Sequence, residues 1–380
     1  MKIIVVGAGL AGSAVAYALA RRGCNVTVLE AAAGSASTAP SAGLPVALMA
    51  PHHSAGDSAL SQLSRLGLAA TTTSAQSLLI QGQDWQRCGA LQRAGKLGPQ
   101  AHWFADAAWV KPAALVAAWL AHPRITMHYS AAVHRLQRAP GAAKGWQALS
   151  AQSSVLAEAD AVVLANAVQA QTVWAHTQLG DDAVDKKPLL PLHQVAGQVV
   201  VGPWSAAWQA LWPSLLPELE STRTAQPFSA DTPCAINGNG HFIPAVPWGS
   251  PQGSGGQQMW LSGSTYEHDV STPSVTPLGI EANLQRLQQL IPAAADLLAA
   301  QQRAGQLSGW AGSRCTTRER LPIVGALAPL HASGIYACTA MGSRGLSFAA
   351  LCGQHMADMV TETVESPLPL HLHRALHPAI

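Results

Sequence analysis

The stretch Lys2-Ile3-Ile4-Val5-Val6-Gly7-Ala8-Gly9-Leu10-Ala11-Gly12, extended by an apolar run to Ala20 and then by Asn25-Val26-Thr27-Val28-Leu29-Glu30, decides the fold. The β-branched run Ile3–Val6 predicts a buried parallel strand. A GxGxxG turn, Gly7 to Gly12, follows at once, and a helix from about Gly9 to Arg22 is stopped by Gly23. A second strand then ends in the acid Glu30. Strand, glycine turn, helix, strand and acid at this spacing are the full context of a dinucleotide-binding unit. Gly7 permits the tight turn, Gly9 the approach of a pyrophosphate to the backbone, and Gly12 close helix–strand packing. The helix start carries partial positive charge for the phosphates. Glu30 is expected to accept hydrogen bonds from the ribose hydroxyls, and an acid there disfavours a 2′-phosphate. FAD or NAD is therefore expected, not NADP.

Residues 3–20 are apolar enough to suggest a signal peptide or a membrane span. Glycine turns interrupt the run, Arg21-Arg22 follows it where a signal peptide carries its charge in front, and a strand begins immediately. A protein outside the membrane, in the cytoplasm, is the expectation. The 380 residues exceed one compact core, and 48% hydrophobic content excludes disorder. A net charge of +2 excludes a strongly basic nucleic-acid binder, though not a local basic patch. Six irregularly spaced cysteines with no CxxC fit neither a disulfide framework nor a zinc site, and point to a reducing compartment. No metal is expected.

Outward from the fingerprint, residues 31–57 read as a long loop, the kind that carries function. Helical spacing returns over 59–81, and Pro112 opens a helix to Leu120. Residues 84–98 are expected to leave the first domain. Segments 125–129, 131–136, 146–150, 154–157 and 161–167 read as strands. From Pro188 to Met259 short strands punctuated by Pro, Gly and Trp predict a mostly antiparallel unit. A helix is expected over 280–290, strands over 321–326 and 335–339, and a helix from Leu346 to about Thr363. The last 15 residues read as irregular. The chain thus leaves the nucleotide domain and returns to it, and a second helix start, after Gly342-Ser343-Arg344-Gly345, aims at the same ligand.

These residues resemble the D-amino-acid oxidase and glycine oxidase superfamily of FAD enzymes, and within it the FAD-dependent C-terminal oxidase domain of the tRNA-modifying MnmC proteins. The resemblance is carried by Ser41-Ala42-Gly43, Pro51 and Asp57, Leu60-Ser61-Gln62-Leu63-Ser64-Arg65, Val195-Ala196-Gly197-Gln198 and Gly263-Ser264-Thr265-Tyr266. Arg314-Cys315-Thr316-Thr317, Arg320-Leu321-Pro322-Ile323-Val324-Gly325, Gly342-Ser343-Arg344-Gly345-Leu346 and Arg374-Ala375-Leu376-His377-Pro378 complete it. It implies a Rossmann-like FAD-binding domain from 1–85, 110–187 and 305–365. It implies a second, α+β substrate domain on a mostly antiparallel sheet from 86–109 and 188–304, with a tail at 366–380. It also implies a reaction. The carboxymethyl group of 5-carboxymethylaminomethyl-(2-thio)uridine at the tRNA wobble position is removed by hydride transfer to flavin and imine hydrolysis, and oxygen reoxidises the flavin.

The resemblance further assigns roles. Ala8, Leu10 and Ala11 belong with the glycines of the FAD turn. Arg314 matches the carboxylate anchor, and a guanidinium fork suits that task; a structural ion pair with Glu319 is the plainer alternative. Tyr266 lines the substrate side or is a rim residue. Arg344 and Gly345, with Gly342, Ser343 and Leu346, offer backbone N–H groups to the reduced flavin. Ala42, Gly43 and Leu44 lie beside the ring system, and Val133 meets the adenine. Asn166 caps its strand. Cys315 raises the question of covalent flavin, and non-covalent FAD is expected. His52 and His53 read as solvated loop residues, and His371, His373 and His377 as a solvated tail. The best-known relatives carry a methyltransferase domain ahead of the oxidase, so a separate methyltransferase is an expected partner. Low charge sits uneasily with a tRNA substrate, although Arg21, Arg22, Arg65, Arg87, Arg93, Lys186 and Lys187 could form a patch. Two alternatives stay open: an oxidase of glycine, sarcosine or D-amino acids, and a non-catalytic flavoprotein that binds a partner.

Overall fold

A computed structural model describes residues 1–34, 43–54, 56–93, 101–141, 145–177, 190–215, 233–249, 256–268, 270–327, 334–362 and 368–377. The expected sites at Ser41, Ala42, Lys186, Lys187 and Pro378 lie outside these residues. A six-stranded sheet runs in the order Ile323–Ala326, Ile335–Thr339, Ala161–Leu164, Lys2–Val6, Asn25–Leu29, Ile125–His128. All neighbours are parallel except the first pair. Side chains alternate across the pleat. Ile3, Val5, Val26 and Val163 enter one core, while Ile4, Val6, Leu29 and Val162 enter another. Both faces are therefore covered, and the strands are apolar throughout as a buried parallel sheet requires.

Helices Leu10–Arg21 and Gly345–Val360 cover the first face, with Ala59–Leu78 packed on the second of these. Their backbones nearly touch. A Cβ on Gly67 would lie 1.7 Å from the Ser347 carbonyl oxygen, and one on Gly353 would lie 2.7 Å from Ala14. The other face carries helix Gln169–His176 and a small sheet of Arg135–Arg138, Trp146–Leu149 and Val155–Ala159.

A seven-stranded sheet runs Ser308–Thr316, His193–Pro203, Gln258–Gly263, Gly240–Pro247, Ala235–Gly238, Ala90–Gln92, His102–Phe104. Its pairs are antiparallel apart from 235–238 against 90–92. Helices Pro277–Leu290 and Ala295–Arg303 close a core of Trp204, Trp208, Trp212, Phe242 and Trp260. Gln301 satisfies that core's polar edges. Its Oε1 accepts from Trp208 Nε1 at 3.3 Å and Trp260 Nε1 at 3.1 Å, and its Nε2 donates to the Pro203 carbonyl at 2.8 Å.

Four local expectations fail. The loop over 31–57 contains a strand, Ala47–Met49, paired with Ala108–Val110. The strand expected over 131–136 covers Arg135–Arg138 instead. Ser308–Thr316, expected with the nucleotide-binding part, pairs along nine residues with His193–Val201. The tail is not irregular: Leu370–Leu376 is a helix whose Leu372 and Leu376 are buried. Its histidines are engaged as well. His373 Nδ1 lies 3.0 Å from His355 Nε2, and His371 Nε2 lies 2.9 Å from Gln62 Oε1. Apart from Arg135–Arg138, which pairs with the adjacent strand Trp146–Leu149, each failure is a three- to nine-residue segment whose partner is remote in sequence, so local periodicity does not announce it.

The His355–His373 contact makes stability pH-dependent. Burial, followed by the like charges of His373 and His377, holds His355 down to about 4 against the pull of Asp358. The unfolded chain protonates this imidazole near 6.5 and the folded chain near 4. Stability from this group is thus complete above about pH 6.5 and is lost as pH falls toward 4, by about 3 kcal/mol. Urea unfolding at pH 7 and pH 5 should show about 2 kcal/mol of this loss in the native sequence and a smaller one in His355→Gln; equal losses would refute it.

Candidate active site

The carboxyl ends of the parallel strands open into a cavity of about 1980 Å³ that extends to the seven-stranded sheet. Ligands of open α/β folds sit at such strand ends. Gly7 adopts φ +98°, and its N–H donates to the Leu29 carbonyl at 2.8 Å. A Cβ on Gly12 would lie 1.9 Å from the Gly7 carbonyl oxygen. The spacing of the two glycines therefore fixes the helix start against the strand end. Glu30 locks the turn from the other side: its carboxylate accepts from Ala8 N at 2.7 Å and Ala32 N at 2.9 Å. Each carboxylate oxygen keeps a lone pair for a hydroxyl donor.

Val6, Gly7, Gly9, Leu10, Ala11 and Glu30 line the cavity. Ala8 and Gly12 do not; Ala8 turns to Glu30 and Gly12 packs beneath the turn. Leu44 and Val133 line it, whereas Gly43 is exposed outside it. Gly342, Ser343, Arg344, Gly345 and Leu346 all line it, on a 3₁₀ turn that leads into the helix starting at Gly345. Neither this helix nor the one starting at Leu10 has a side-chain cap. Two helix starts without side-chain caps thus serve one cavity. Asn166 does more than end its strand. Its Oδ1 is buried, lines the cavity and has no protein donor among the described residues. An oxygen left in that state needs a donor from a ligand or water. The fingerprint turn, Glu30, the two uncapped helix starts and this oxygen together fit the phosphates and hydroxyls of a dinucleotide.

The far end of the cavity is cationic. Arg314 leaves strand Ser308–Thr316 and crosses Gly197, where a Cβ would lie 2.6 Å from its Nη1. Its Nη2 donates to Ser264 Oγ at 2.5 Å and its Nη1 to the Thr265 carbonyl at 3.4 Å. The Tyr266 ring stands 4.6 Å from the guanidinium carbon, and Tyr266 is 59% exposed. Burial lowers the Arg314 pKa, partly offset by Tyr266, and an arginine remains charged at neutral pH. No carboxylate pairs with Arg314 among the described residues, so the alternative pairing with Glu319 is not observed.

Three further arginines line the same space: Arg344, expected at the site, Arg320, noted only as a motif position, and Arg286, not singled out from the sequence. Arg286 donates to the Ser264 carbonyl from helix Pro277–Leu290, Arg320 sits at φ +60°, and Arg344 Nη2 lies 3.1 Å from His52 Nδ1. Against these four guanidinium groups stands one lining carboxylate, Glu30. His241 was missed outright. It lines the cavity, its imidazole has no partner among the described residues, and burial followed by the Arg314 charge pushes it down to about 4. It is neutral at pH 7. His52 is not a solvated loop residue, since it meets Arg344; His53 is an exposed loop residue as expected, and its ring stacks on Phe104 with centroids 5.6 Å apart. Cys315 also lines the cavity, 3.7 Å from Thr339 Oγ1, with its thiol pKa raised by burial.

A family model described as FAD dependent oxidoreductase matches residues 2–100 and 93–359. The chain is 38% identical to the tRNA 5-methylaminomethyl-2-thiouridine biosynthesis bifunctional protein MnmC of Polaromonas naphthalenivorans, covering 98% of this chain and 58% of that protein. It is 39% identical to the protein of the same description from a Polaromonas species, covering 99% and 59%. The chain therefore spans less than two thirds of the length of these curated relatives. In fold it is similar to iminodiacetate oxidase from a Chelativorans species, with a TM-score of 0.67, 15% identity and coverage of 99% and 98%. It is also similar to glycine oxidase from Bacillus cereus, with a TM-score of 0.65, 18% identity and 96% coverage of both chains.

Because the Glu30 carboxylate accepts two backbone N–H bonds, Glu30→Ala should lower the unfolding free energy by about 3 kcal/mol. Urea denaturation measures this, and a change under about 1 kcal/mol would show that the turn holds without it.

Proposed function

The chain belongs to the FAD dependent oxidoreductase family, and we propose that it oxidises a secondary amine bearing a carboxymethyl arm: 5-carboxymethylaminomethyl-(2-thio)uridine at the wobble position of tRNA. The observation that carries this reading is Arg314, a half-buried guanidinium with no carboxylate partner among the described residues, standing beside Tyr266 in the cationic part of the cavity. The names of the curated relatives supply the tRNA.

In this reading the Gly7–Gly12 turn, Glu30 and the N–H groups from Gly342 to Leu346 hold the FAD. When bound, the flavin supplies a two-electron acceptor for the CH₂ between carboxylate and nitrogen, with dioxygen as its oxidant in turn. Arg314 grips the substrate carboxylate in a two-pronged manner, and Ser264 and the Thr265 carbonyl hold the guanidinium in place. Neutral His241 and the Tyr266 hydroxyl offer hydrogen bonds without adding charge. The helix start at Gly345 would favour negative charge on a flavin held beside it. FAD is held non-covalently, because the raised pKa of Cys315 disfavours the thiolate that attachment needs. The six cysteines are all buried free thiols, which suits the reducing cytoplasm, and no helix among the described residues is long and apolar enough to cross a membrane. A methyltransferase acting on the aminomethyl product is the expected partner.

Incubation with tRNA bearing the modified wobble base, followed by nucleoside mass spectrometry, tests the reading. Loss of the carboxymethyl group supports it; unchanged tRNA alongside consumption of glycine or sarcosine defeats it. Arg314→Met should cut kcat/KM by about 10- to 100-fold, the cost of a charge-assisted hydrogen-bond pair, with bound FAD unchanged. Acid precipitation should leave all flavin in the supernatant; yellow pellet would mean a covalent link.

A further inference from the structure

A second, shallower depression of about 690 Å³ adjoins the cavity, and Gln194 and Ser271 line both. Gln194 builds the partition. Its Nε2 donates to the Val270 and Ser271 carbonyls at 3.1 Å and to Ser313 Oγ at 3.0 Å, which pins segment 270–271 to the strand that carries Arg314. The depression has an apolar floor at Val195 and an exposed rim of His193, His268 and Arg318. None of these three side chains has a hydrogen bond or ion pair among the described residues, and the described lining contains no carboxylate. Arg318 and Arg320 lie two residues apart after strand Ser308–Thr316, one lining the depression and the other the cavity.

We propose that this depression holds the sugar–phosphate backbone of single-stranded RNA next to the nucleotide whose side chain enters the cavity. The inference rests on the tRNA reading above and adds a site to it. A nucleotide within a polymer cannot enter a cavity alone: its neighbours must continue past the mouth. The depression adjoins the cavity, carries the Arg318 guanidinium with no carboxylate in its described lining, and exposes the side chains of His193 and His268 as further hydrogen-bonding groups, which is what a phosphate chain requires. Its apolar floor suits a ribose or a base edge. Such a subsite also reconciles a net charge of only +2 with an RNA substrate, since the affinity comes from a local patch.

The test uses the full-length, FAD-loaded protein and an unmodified RNA hairpin of the anticodon arm. Fluorescence anisotropy at several salt concentrations compares the native protein with Arg318→Glu combined with His193→Glu, both exposed positions. Binding should weaken by about tenfold or more at low salt, and the slope of log K against log salt should fall by about one. The rate on the free modified nucleoside should stay the same. Equal hairpin affinity and slope in the two proteins would overturn the subsite. So would an equal loss of nucleoside turnover, or displacement of the hairpin by polyglutamate of matched charge, which would mark a general polyanion surface. If hairpin binding depends on Arg318 but wobble-modified tRNA is not oxidised, the substrate reading fails and the RNA subsite stands.

Discussion

The approach of the first helix to the first strand is the constraint on which the rest depends. With 1.9 Å between a notional Cβ on Gly12 and the Gly7 carbonyl oxygen, any side chain there would push the helix off the sheet. Held in place, the helix presents uncapped N–H groups at the strand end, and Glu30 ties the same turn to the second strand. The effect extends further. Helix Gly345–Val360 packs on this helix through Gly353, so the second uncapped start is placed by the same contact. One cavity with two electropositive edges follows from backbone spacing alone.

Charge is scarce in this chain, at 11% of residues, and its distribution is correspondingly informative. Four arginines and a single carboxylate share the cavity lining. Uncompensated guanidinium groups in a half-buried setting cost stability unless an anion arrives, so they mark where binding free energy is stored for a ligand. Arg314 reaches its position only because residue 197 has no side chain. The polar restraints on it, Ser264 and the Thr265 carbonyl, orient it without neutralising its charge.

The sequence was most legible where physics is local. The parallel strands, the glycine turn, Glu30 and the central helices announced themselves through β-branched runs, a fixed glycine spacing and a helical period. The turn at 342–345 was legible as a glycine-flanked helix start, whereas Arg314 and Tyr266 were visible only through a family pattern, since an arginine in a strand has no periodic signature. Arg286 and His241 went unread. The first sits on the polar side of an ordinary amphipathic helix, and the second is a lone histidine in a glycine-flanked strand. Both become site residues only when helix Pro277–Leu290 and strand Gly240–Pro247 meet Arg314 across the sheet. The strand Ala47–Met49 and the helix Leu370–Leu376 were lost for the same reason: their stability comes from remote partners, Ala108–Val110 and the core beneath Leu372 and Leu376.

Anaerobic mixing of the purified holoprotein with tRNA carrying carboxymethylaminomethyl-uridine, followed in the visible spectrum, joins cofactor and substrate in one observation. The oxidised-flavin band is expected to bleach stoichiometrically with the modified base. A band that survives this tRNA and bleaches instead with glycine or sarcosine would contradict the assignment of the arginine-lined cavity to a wobble-base substrate.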